Sequence, residues 1–92
     1  MDAPRFVVRD VFTPSGRAGP LVVGHAEGMD LRGGVRLDLD DEQGRATVEV
    51  LSVEFATPRT LAEGTTTLVL SSDLDGRVRP GVHLTPHEPT RG

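Results

Sequence analysis

Apolar residues fall along this chain in short runs and alternations, with no long stretch at the 3.6-residue spacing of an amphipathic helix. Residues 6–12 are rich in β-branched and aromatic side chains and predict a first strand, broken by Pro14, Ser15 and Gly16. Residues 21–26 predict a second, in which Gly24 marks a bend or a close backbone approach. A crossing loop follows over 29–34. Val35, Leu37 and Leu39 then alternate with Arg36, Asp38 and Asp40, the period of a half-buried strand, and 41–44 is its polar turn. The longest strand signal runs over 45–55. Its apolar parity slips midway: Ala46, Val48 and Val50 share one face, whereas Leu51, Val53 and Phe55 take the other. A period of two that slips by one requires a bulge or a sharp bend.

Residues 56–64 read as a loop with one helical turn near 60–63, and 65–72 as a Thr-rich strand with Leu68 and Leu70 inward. After a turn at 73–76, residues 77–84 form a short closing strand in which Pro80 belongs at an edge or bulge. Thr85 to Gly92 carry two prolines and no apolar period, so 85–92 is expected to be a flexible tail. Six strand signals and a parity slip of the kind that turns barrel corners predict an all-β fold. The expected architecture is a small closed antiparallel β-barrel of about six strands, in one domain spanning 5–84. Its core is Val and Leu with Phe6, Phe12 and Phe55, the only aromatic residues among 92.

Several chemistries are excluded by composition. There is no Cys, hence no disulfide and no thiolate metal site. No run approaches the length of a membrane span and no secretory signal is visible, so a cytoplasmic location without membrane contact is expected. All ten basic residues are Arg; without any Lys the chain has no phosphate loop of the GxxxxGK[ST] type, and neither nucleotide binding nor GTP hydrolysis is expected. The net charge of −4, with both signs interspersed, weighs against avid RNA binding, which draws its affinity from concentrated basic surface.

A set of spaced residues carries a resemblance. Asp10-Val11-Phe12 closes the first strand, and Gly16, Arg17 and Gly19 make the following turn, with Ala18 inserted between them. The run Leu21-Val22-Val23-Gly24 is followed by His25-Ala26-Glu27-Gly28. Leu31, Arg32 and Gly34 come next, then Gly64 and the run to Leu70, and finally Val78, Gly81 and Leu84. In this order they resemble the second domain of translational GTPases of the elongation factor Tu type, over nearly the whole chain. The resemblance implies a translation-factor domain 2-like barrel, expected here as a free-standing unit. It also implies a ligand surface around the 16–19 turn and the second strand, made of Arg17, Gly19, His25 and Glu27, because that domain helps hold the aminoacylated end of tRNA. The Arg that follows the Glu in the family is absent here.

No other constellation rises to a site. Asp38, Asp40, Glu42 and Glu49 have the spacing of calcium-loop carboxylates, but Gln43 stands where such a loop requires Gly, and they read as a solvated acidic hairpin. His83 and His87 straddle Pro86, while His25 and Glu27 share a strand face as a surface pair. Arg9, Arg17, Arg32 and Arg36 are the candidates for a positive patch. No catalytic, cofactor-binding or metal-binding residue is expected. The expected role is a non-enzymatic interaction module that binds a protein partner or itself. The alternative is an RNA-contact module for the tRNA acceptor end or ribosomal RNA, and a small enzyme with a site at the barrel mouth is the third reading.

Overall fold

Residues 3–13, 19–54 and 56–87 are described in a computed structural model of the chain. Six strands form: β1 (Arg5–Phe12), β2 (Leu21–Glu27), β3 (Arg36–Asp41), β4 (Gly44–Val53), β5 (Thr66–Leu70) and β6 (His83–Pro86). They close into an antiparallel barrel in the order β1-β2-β5-β4-β3-β6. The expected fold class is therefore the one observed.

Inside the barrel lie Phe6, Val8, Val22, Leu37, Leu39, Val48, Val50, Leu68, Leu70, Val78 and Leu84, all buried. Two bulges set which residues reach this core. One shifts the β4–β5 register between Val50 and Ser52, where the parity of the sequence slips. The other shifts β1 against β2 between Val8 and Asp10. Phe6 and Val8 point inward before it; beyond it Val11 sits opposite the buried Val22, and Phe12 opposite Leu21 on the outer wall. Phe12, expected in the core, is consequently 54% exposed. Phe55, also expected there, lies outside the described residues.

The helical turn expected near 60–63 is a short helix, α1 (Pro58–Glu63), that begins two residues earlier. Thr57 starts it with a capping box: its hydroxyl accepts from the Thr60 backbone N–H, and the Thr60 side chain receives the Thr57 N–H. Pro58 occupies the first turn, where its missing N–H costs nothing, and Gly64 closes the helix at φ 70.

The end of the chain departs from expectation. Residues 77–82 are mostly turn, and the closing strand begins only at His83. It then runs past Leu84: Thr85 pairs with Asp38, Pro86 with Leu37, and the His87 N–H donates to the Arg36 carbonyl at 3.0 Å. The barrel thus includes Thr85–His87, which the sequence placed in the tail; the rest of that segment lies outside the described residues.

Candidate functional site

The second bulge turns Asp10 and Phe12 outward, opposite Val23 and Leu21 of β2. Helix α1 lies across this outer wall. It is held by Arg9, whose guanidinium reaches Glu63 at 3.3 Å, and by His25, whose Nδ1 lies 3.2 Å from the Gly64 carbonyl oxygen. Between helix and wall runs a groove of about 210 Å³, lined by Asp10, Phe12, Val23, Arg59, Thr60, Glu63 and Thr65. Phe12 and Val23 give it an apolar floor; the charged residues and Thr60 form a rim. At its base Thr65 is only 8% exposed, and its hydroxyl has no hydrogen-bond partner among the described residues.

The four residues singled out by the resemblance do not meet in one place. Arg17 lies outside the described residues. Gly19 is packing: a Cβ there would stand 1.9 Å from the Leu70 carbonyl oxygen. Gly19 and Glu27 bracket β2 at its opposite ends, about 25 Å apart at the rise of an extended strand. His25 and Glu27 do share the outer face, but not as a pair. His25 contacts Gly64, while Glu27 receives the Arg5 guanidinium at 3.3 Å across the strand pair.

Charge is largely matched locally. Arg5, Arg9, Arg45, Arg59 and Arg77 each lie 2.6–3.6 Å from a carboxylate. Arg9 therefore leaves the expected positive patch, Arg17 falls outside the described residues, and Arg32 and Arg36 are left at the loop into β3. The acidic hairpin is not one solvated face either. Asp40 pairs with Arg45, but Asp38 is 5% exposed, covered by the end of β6. Thr47 donates its hydroxyl to Asp38 Oδ1 at 2.6 Å, and His87 Nδ1 lies 2.9 Å from the same oxygen. Since a carboxylate only accepts, the His87 nitrogen is the donor. Burial pushes the Asp38 carboxyl up, but these two hydrogen bonds and the charges of His87 and Arg45 outweigh it and hold the group below its ordinary value. Asp41, taken from the sequence as part of a polar turn, receives two guanidinium bonds from Arg77, which lower its carboxyl too.

Sequence reasoning missed the groove, the Asp38–His87 contact and the Asp41–Arg77 clasp. Each joins residues more than thirty positions apart, and none has a local signature. Among the described residues no group of three or more His, Asp or Glu could hold a metal ion, and no helix is long and apolar enough to cross a membrane. No family model, no curated protein and no solved structure matches this chain.

Proposed function

We propose that this chain is a non-enzymatic interaction module, built on a barrel of the translation-factor second-domain type, that binds a protein partner or a second copy of itself through the β1–β2 wall and α1. One observation carries the reading. Phe12, a large aromatic, stands 54% exposed in a groove with a charged rim. Apolar anchors within polar rims are the usual anatomy of protein-binding surfaces, and aromatic residues dominate their energetics. The locally matched charge supports a protein over an RNA backbone, which selects for arginines free to meet phosphate. The RNA-contact alternative draws its support from the resemblance and from Arg32 and Arg36.

The test compares wild type with Phe12→Ala. Sedimentation velocity over a concentration series reports self-association, and affinity capture from nuclease-treated extract reports a partner. The proposal expects an association that survives nuclease and is lost in Phe12→Ala. Capture that disappears with nuclease, falls steeply with salt and ignores Phe12 would instead establish the RNA reading.

A further inference from the structure

We propose that the groove between α1 and the β1–β2 wall is filled by the same groove of a second copy of this chain, with a two-fold axis running along it. The assignment rests on the docking surface proposed above and names its occupant. Closure of the barrel removes the simplest kind of self-contact. β1 is paired with β2 on one side and β6 on the other, and each of the six strands has two neighbours in the closed order. A second copy therefore meets side chains rather than extending the sheet.

The charges around the groove are balanced in sum and separated in space. On the helix side Glu63 receives both Arg9, at 3.3 Å, and Arg59, at 3.4 Å. One carboxylate shared by two guanidiniums leaves a positive surplus there, and Arg59 is 86% exposed. On the strand side Asp10 is exposed, and its carboxylate has no ion pair or hydrogen bond among the described residues. The two carboxylates and two guanidiniums cancel, whereas the whole chain carries −4. Two copies repel over much of their surface, and this neutral wall is where they can approach. A partner of uniform charge would be repelled by one side of the groove; a partner with two opposed surpluses is what the chain itself supplies. A two-fold axis along the groove lays the strand side of each copy on the helix side of the other, so the Asp10–Arg59 pairing is made twice. Phe12, 54% exposed on the groove floor, then meets its symmetry mate, and an offset-stacked or edge-to-face pair adds to the burial of both rings.

The test is sedimentation velocity on the full chain, from micromolar to millimolar concentration, for wild type, Asp10→Arg and Arg59→Asp. Both positions are exposed, so neither change disturbs the core. Wild type is expected to pass from monomer to dimer across the series. Each variant alone should dimerise about tenfold more weakly, because like charges then face each other twice. An equimolar mixture of the two variants should regain wild-type affinity, since both pairs become complementary in the mixed dimer. The mixed species is followed by a dye on one variant's α-amino group, the sole primary amine in a chain without Lys. The proposal is overturned by a wild type that stays monomeric, by single variants that dimerise like wild type, or by a mixture that gains nothing over its components. A monomeric wild type that still captures another protein through Phe12 overturns only the choice of occupant; loss of every Phe12-dependent association overturns the docking surface as well.

Discussion

Gly24 and Gly81 need glycine for different reasons. At Gly81 the backbone adopts φ 96, a region that side chains with a Cβ rarely enter. At Gly24 the constraint is space. A Cβ there would stand 2.2 Å from the Val7 carbonyl oxygen and 2.8 Å from the Phe6 ring. The sequence marks Gly24 as a bend or a close approach, and the close approach is what the packing shows. Gly24→Ala and Gly81→Val are each expected to destabilise by about 1–3 kcal/mol, overpacking in one case and backbone strain in the other. Differential scanning calorimetry checks this, at about 4–8 °C of melting temperature per kcal/mol for a domain of this size. A wild-type melting temperature in Gly24→Ala would mean that β1 and β2 can separate there at no cost. Asp38 gives the second residue-scale prediction. Its carboxyl is held below 3.8 in the folded chain, so its contribution to stability is complete above that value and is lost as pH falls through the folded pKa. Thr47→Val removes one of the bonds that lower it. The stability gap between wild type and Thr47→Val should be widest at neutral pH and shrink below pH 3.8 in urea unfolding; a gap that widens on acidification would contradict the assignment.

Among the elements, the strands were the most legible and the bulges only half so. In β4 the slip from Val48 and Val50 to Leu51 and Val53 is visible in the sequence, and the register shifts at that point. In β1 nothing announces the bulge. Arg5–Phe12 has apolar residues at both parities, so Phe6, Val8 and Phe12 look equivalent until the pairing with β2 separates them. The candidate groove was illegible for the same reason, since it needs both the outward turn of Phe12 and the contacts Arg9–Glu63 and His25–Gly64. What could be read was that His25 and Glu27 share a face, because alternation alone fixes that. Strand β6 was hidden by its one proline and by Pro80 and Pro89 on either side, which together read as a linker; Pro86 is tolerated at the last position of a four-residue strand, where few ladder bonds are required of it. Truncation after Leu84 is expected to be costly. It removes the Thr85–Asp38 and Pro86–Leu37 pairs and strips His87 from a buried carboxylate. A loss above about 2 kcal/mol relative to truncation after His87 is expected in denaturant unfolding. Equal stability of the two truncations would show that β6 ends in effect at Leu84.

At the scale of the whole molecule, closure joins the first strand to the last. β6 lies between β1 and β3, pairing Leu84 with Phe6 on one side and Thr85 with Asp38 on the other. Ala3, Pro4 and Pro86 border one cavity, so the chain enters and leaves the barrel at neighbouring points. The order in which the strands are spelled out is then a convention that the packed state does not depend on. A circular permutant that bridges the old ends with a short Gly-Ser linker and opens new ones between Glu42 and Gln43 would keep every strand pairing, and the Arg77–Asp41 clasp would still fasten that turn. It is expected to give the same far-ultraviolet circular dichroism spectrum and to melt cooperatively. The same adjacency lets the barrel be spliced into a surface loop of a host protein as a self-contained insert, its two junctions side by side and its β1–β2 wall uncovered.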